Sequence, residues 1–313
     1  MQRTFHEFYG YRVACTAPAE AQPVVQRLFG AQPIVDPHLP WPGTDTVHLS
    51  FEVTGDSHAP VPPPYFPPHW EKLDEIVLDT GSSTAVVCLA DRAVRVQLAR
   101  SDLDNPIVWG RWLVEKAFLV LTLRSDRHYG LHAGALSLNS RAALVTADSG
   151  VGKSTFTAWG LFQGATLIGE DAMMRHIDDP EGRFWGYPRC SYLDPALVKS
   201  RPELTDAVSA MVPAREKCRL EWPPSFESRL LTAVRPQALL VLTRAHQEIR
   251  SVGIDAVIEL CRSDFTAGKL DADARDRAED DLRTRLGSMD LLEFGLAPDL
   301  DTNYTRLAAT LRA

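Results

Sequence analysis

Between Thr146 and Thr155 the chain reads T-A-D-S-G-V-G-K-S-T. The chemistry this pattern can do is to grip a polyphosphate. Asp148, Ser149, Gly150, Val151 and Gly152 form a turn whose two glycines let successive backbone N–H groups point inward at phosphate oxygens. Lys153 can reach the outer phosphates, the Ser154 hydroxyl can ligate magnesium, and Thr155 continues a helix whose positive N-terminal end faces the same anion. The usual spacing is G-x-x-x-x-G-K-[ST]; here Ala147 replaces the first glycine. That position ends a strand, and alanine fits it if φ is negative.

A second group of residues can move a proton or hold a metal. The apolar segment Ala165–Ile168 runs through Gly169 into Glu170 and Asp171. Carboxylates at such a strand end would lie beside the phosphate turn if the two strands are neighbours, and could hold magnesium or accept a hydroxyl proton. Adjacent strand residues point to opposite sides, so the two acids should differ in role. His132 alone reads as a core histidine; beside the acids it would orient one of them. His128 and His132 are on a strand or turn, where a spacing of four does not make a zinc pair. Arg189, Lys217 and Arg219 are expected in later loops, and Lys217 and Arg219 are the best placed to add a cation to a transferring phosphoryl group. Trp185 and Tyr187 can stack on a base or pack in a core.

These residues need elements to carry them. Ala142–Val145 predicts a buried strand entering the turn and Ser154–Phe162 a helix leaving it. Met173–Ile177 and Arg183–Tyr187 predict a hairpin around Asp178-Asp179-Pro180-Glu181-Gly182, Ala238–Leu242 a further buried strand, and Ala272–Leu286 a solvated helix with an apolar stripe. The first hundred residues predict strands at Tyr11–Cys15, Val47–Val53, Glu75–Asp79, Ala85–Leu89 and Ala93–Gln97, with a helix over Ala19–Phe29. Pro60, Pro62, Pro63, Pro64, Pro67 and Pro68 exclude helix and central strand and predict an extended loop. Ile107–Leu123 is very apolar, but it carries Arg111, Glu115 and Lys116 and predicts a core helix, not a membrane span.

The chain has 313 residues, 45% of them hydrophobic and 24% charged, which fits two globular domains, here 1–125 and 126–313. A net charge of -8 argues against a nucleic-acid or membrane surface. Five dispersed cysteines with no C-x-x-C pair suggest free thiols in a reducing cytoplasm. There is no N-K-x-D guanine motif and no D-x-x-G switch at the expected distance, so the GTPases are disfavoured.

Leu131-His132-Ala133-Gly134, then A-D-S-G-V-G-K-S-T, then L-I-G-E-D resembles the catalytic core of the bacterial HPr serine kinase/phosphorylase family over residues 128–190. The resemblance implies an α/β fold: a P-loop catalytic domain related to phosphoenolpyruvate carboxykinase, with a separate N-terminal α+β domain for substrate recognition or assembly. It implies an ATP- and Mg2+-dependent kinase. Lys153 and Ser154 would contact phosphate and magnesium, Asp171 would be the second acid of the pair, and His132 would stand near the acids. Glu170 replaces the family's first Asp, the expected catalytic base, and is one methylene longer. The family's later glycine-rich signature is not found, which implies a relative acting on another substrate. The wider group includes enzymes that phosphorylate a serine of a lasso-peptide precursor. A peptide or protein serine is therefore the first acceptor expected and a small-molecule alcohol the second; an ATP-sensing regulator without transfer, homo-oligomerisation, the choice of ATP over GTP and a reverse phosphorolysis stay open.

Overall fold

The structure is a computed structural model that describes residues 2–30, 46–55, 74–205, 207–212, 217–266 and 271–312. The proline-rich stretch lies outside them. The chain divides into two compact units, Met1–Ser125 and Asp126–Ala313.

In the first unit β1 (Gln2–Phe8) and β2 (Tyr11–Ala17) form a hairpin. Its two turn residues, Tyr9 and Gly10, both have positive φ, 51° and 81°, which matches the twist of a tight hairpin. After α1 (Gln22–Phe29) come β3 (Thr46–Thr54), β4 (Glu75–Asp79), β5 (Thr84–Cys88) and β6 (Ala93–Ala99). The six strands make one sheet in the order β1-β2-β3-β6-β5-β4. Alternating Ile76 and Leu78, Val94 and Val96, and Val47 and Leu49 bury one face. The apolar segment that follows is one continuous helical run. Its first part, Ile107–Val114, is wound with π-helical spacing, and α2 (Glu115–Arg124) completes it against β5. Phe118 of α2 meets the rings of Phe8 and Tyr11.

The second unit opens with β7 (His128–Leu131), β8 (Ala133–Leu138), β9 (Arg141–Thr146), α3 (Lys153–Phe162), β10 (Thr166–Gly169), β11 (Met173–His176) and β12 (Phe184–Trp185). It continues with β13 (Cys190–Leu193), α4 (Pro195–Ser200), α5 (Pro202–Thr205), β14 (Val208–Val212), β15 (Lys217–Glu221), β16 (Ala233–Val234) and β17 (Ala238–Thr243). β18 (Ile249–Ser251), α6 (Ile254–Thr266), α7 (Ala272–Leu286), β19 (Asp290–Gly295) and α8 (Leu300–Thr310) close it.

The central sheet runs β10-β8-β9-β17-β19-β18. β9, β17 and β19 are parallel, while β8 and β10 at one end and β18 at the other are antiparallel to their neighbours. Both faces are covered, which explains why β9 and β17 read as unbroken apolar runs. Ala143, Val145, Leu240 and Leu242 face a core with Phe156 and Leu161 of α3 and Leu307 of α8. Leu144 and Leu239 face the opposite core, built by Val257 and Ile258 of α6 and Ala278, Leu282 and Leu286 of α7. The apolar stripe of α7 is therefore its seat on the sheet. The second sheet, β16-β12-β11-β7, contains the expected hairpin of β11 and β12; the third is β13-β15-β14.

The sheet order does not meet the condition that the strand to the acids neighbours the strand to the turn. β10, which leads to the two acids, does not neighbour β9, which leads to the phosphate turn, because β8 lies between them. The acids reach the turn by another route.

Candidate phosphate-binding site

β9 delivers the chain at Thr146, and α3 begins at Lys153 with Gly152 as its N-cap. Gly150 and Gly152 hold φ of 85° and 125°, which only glycine adopts at little cost. Ala147 is buried and is not among the residues with positive φ, so the replacement of the motif's first glycine is sterically easy. Asp148, Ser149 and Gly150 are exposed, and Val151, Ser154 and Thr155 are half-buried, leaving the turn accessible from outside.

Two chain crossings bring the remaining groups to it. β7 belongs to the second sheet and β8 to the central one, and His132 is the single residue between them. β10 belongs to the central sheet and β11 to the second, and Glu170, Asp171 and Ala172 connect them. Both strands change sheet at the same place. Gly134 lets the two crossings approach: a Cβ there would stand 2.7 Å from Thr157 Cγ2 and 3.0 Å from the carbonyl oxygens of both Gly169 and Glu170.

At this junction the side chains converge. Lys153, 6% exposed, donates from Nζ to the Glu170 carbonyl at 3.0 Å and to Asp171 Oδ1 at 3.0 Å. His132 Nε2 lies 3.0 Å from the same Asp171 oxygen. The His132 backbone N–H, at the break between two ladders, is taken up by Asp264 Oδ2 of α6 at 3.0 Å. The Lys153–Asp171 pair has one open side, since 35% of the Asp171 side chain is exposed. Through that open side an incoming phosphate can reach the lysine and take it over.

The two acids differ in surroundings, as their adjacency suggested. Both lie past the end of β10, Glu170 buried and Asp171 half-open toward Lys153. Among the described residues no group of three or more His, Cys, Asp or Glu side chains is placed to hold a metal alone. Magnesium carried on a nucleotide asks less of a protein, one or two oxygens, with phosphates and water supplying the rest. Ser154 in the first turn of α3 and the Asp171 carboxylate fit that demand.

The expectation for the later cations is corrected. Lys217 and Arg219 are not in a loop but on β15, in the third sheet. Arg219 is 1% exposed, with its guanidinium on the Tyr192 hydroxyl and on Glu221 Oε1 at 3.3 Å, so it is closed to a nucleotide. Alternating charge concealed the fact that this strand is buried. Arg189 is likewise committed, bidentate to Glu227 at 2.6 and 2.7 Å. Trp185 and Tyr187 are core residues. Cys218 is buried and burial raises its thiol pKa, in keeping with a small apolar filler.

The cation at the turn is one that sequence reasoning passed over. Arg244 follows β17, whose end lies beside that of β9, and donates from Nε to the Val151 carbonyl at 2.8 Å. Its signal was present, as the first charged residue after an apolar strand. Asp264 carried no local signal at all.

No protein-family model matches the chain, and no curated protein matches it. A solved structure, the HPr(Ser) kinase/phosphatase from Coxiella burnetii, matches with a TM-score of 0.32 and 10% identity, covering 58% of this chain and 88% of that one. That protein is of the kind the motifs resemble, but a likeness at this TM-score adds nothing to the resemblance. All five cysteines are buried, and none is in a disulfide. Among the described residues no helix is long and apolar enough to cross a membrane.

Proposed function

We propose that the second unit is a P-loop phosphotransferase of the HPr-kinase type, which moves the γ-phosphoryl group of ATP to a serine-type hydroxyl of a peptide or protein. The observation that carries the reading is the shared oxygen: Asp171 Oδ1 stands 3.0 Å from Lys153 Nζ and 3.0 Å from His132 Nε2, at the head of a glycine turn. A structural ion pair has no need of a motif lysine, a histidine at a sheet crossing and an open face together.

In the proposed reaction the turn's amides and Lys153 bind the phosphates, and Lys153 exchanges Asp171 for phosphate oxygen. The freed face of Asp171 accepts the proton of the acceptor hydroxyl, with His132 fixing the carboxylate in place. The hydroxyl oxygen forms its bond to the γ-phosphorus as the bond to the bridging oxygen of ADP breaks. Ser154 and Asp171 would hold magnesium, which when bound supplies charge neutralisation on the transferring group. Glu170, itself buried, supports the crossing by accepting from Lys153 at its carbonyl.

The test is γ-labelled ATP with purified protein and candidate serine peptides, read by mass spectrometry. Label on a serine of the acceptor that disappears in Asp171→Asn supports the reading. Transfer at wild-type rate in Lys153→Met ends it.

A further inference from the structure

The site has a direction, and the direction places the nucleoside. We propose that the nucleoside of the bound nucleotide lies over the carboxyl ends of β17 and β19. Its base then rests on the open face of Leu296, and its inner phosphates lie beside Arg244. This rests on the phosphotransferase reading above.

Sheet order supplies the first argument. From β9, which carries the turn, the acids and His132 lie on the side of β8 and β10, while β17 and β19 lie on the other. A triphosphate whose terminal group points at Asp171 must send its nucleoside the opposite way. That end of the sheet is also where three parallel strands, β9, β17 and β19, finish together, and parallel sheets take ligands in the crevice beyond such ends.

The second argument is what stands there. A Cβ built on Gly152 would lie 3.5 Å from Arg244 Nη2 and 3.8 Å from Leu296 Cδ1, so both residues border the turn on this side. Leu296 is half-buried, with part of its side chain packed on the core and part turned outward.

The third argument is that the segment carrying Leu296 is already set. Leu296 N–H donates to the Thr243 carbonyl at 2.8 Å. Asn303 of α8, itself 2% exposed, clamps Ala297 from both sides, accepting its N–H and donating to its carbonyl, each at 2.8 Å. Arg306 donates to the Gly295 carbonyl at 2.6 Å. A shelf fixed in this way loses little conformational freedom when a base settles on it. The Leu296 N–H and both backbone groups of Ala297 are spent inside the protein, and what the Leu296 side chain adds to the shelf is apolar area.

The experiment compares two probes, MgATP and inorganic tripolyphosphate, by calorimetric titration of the full chain. Leu296→Ala is expected to weaken ATP about tenfold, the loss of one apolar side-chain face, while tripolyphosphate affinity stays within about twofold. Leu296→Phe, which keeps a flat apolar surface, is expected to hold ATP at wild-type affinity. Arg244→Met is expected to weaken both probes. Equal ATP affinity in wild type and in a Leu296→Ala protein with an unchanged melting temperature overturns the inference while leaving the phosphate site intact. So does an equal loss of both probes in Leu296→Ala. Wild-type protein that binds neither probe overturns the phosphotransferase reading, and this inference with it.

Discussion

Two residues before β11, Asp171 shares one oxygen between Lys153 and His132 with 35% of its side chain in solvent. Four residues on, Arg175 is fully enclosed between Asp281 at 3.2 Å and Asp179 at 3.8 Å. Arg183 closes on Asp179 at 2.9 Å, and the Tyr129 hydroxyl donates to Asp281 at 2.9 Å. The charges of the inner cluster are paired among themselves, and its bare atom, Arg175 Nε, is sealed from solvent. Burial pushes the Asp179 carboxyl up, but the hydrogen bonds and charge of Arg183 and the charge of Arg175 outweigh it and hold the group below its usual range. Burial, then the Asp281 charge, drives Tyr129 well above the usual phenol value. The outer cluster keeps one direction unfilled, on the side where the glycine turn opens. Enclosed charge holds the second sheet together, and charge with an open face is available for chemistry.

The sharpest test of that contrast is Lys153→Met, expected to lower phosphoryl transfer by about 10³-fold, or about 4 kcal/mol, with little change in melting temperature. The inner cluster should answer in the opposite way. Asp281→Ala leaves Arg175 enclosed with its best partner gone, and denaturant unfolding should report a loss of about 3–5 kcal/mol. If Asp281→Ala proved harmless to stability, or Lys153→Met unfolded the protein, the two clusters would not differ as described.

A smaller effect is expected from the residue that holds the crossing. Asp264→Ala should reduce kcat about 10- to 100-fold by releasing the His132 backbone, with the nucleotide Kd nearly unchanged. Asp264→Asn, which keeps an oxygen for that N–H, should recover most of the rate; an equal loss in both variants would point to charge and not to position.

A further effect lies in the first unit and concerns stability alone. His6 stacks on Phe29 with ring centroids 4.0 Å apart, and burial lowers its pKa from 6.5 to about 4. A histidine kept neutral by folding adds stability above the unfolded value, and that stability drains away as pH falls from about 6.5 toward 4. Denaturation midpoints of the wild type should therefore drop across that window, and His6→Gln should flatten the drop. An unchanged slope would mean that the ring is open to water.

How much of this was legible beforehand follows from the range of the forces involved. The turn, its strand and its helix were readable because glycine φ, helix start and apolar run are properties of neighbours in sequence. The β11–β12 hairpin, strands β2 to β6 of the first unit and the stripe of α7 were readable for the same reason. Arg219 was misread because alternating charge looks the same whether a strand is solvated or sealed by Tyr192 and Glu221. Arg244 and Asp264 went unseen because each comes from a distant segment, placed only by parallel pairing of β17 with β9 and by the packing of α6.

The sequence alone therefore determined the local device, a glycine-rich turn with Lys153 and Ser154 at the head of a helix, since backbone freedom and helix polarity need no distant partner. Tertiary structure decided what the device faces. Two crossings between sheets at one point bring His132 and Lys153 to one oxygen of Asp171, and β8 stands between the strand of the turn and the strand of the acids. Such an arrangement is set by which apolar faces can be buried together, a property of the whole second unit that no short stretch of sequence contains.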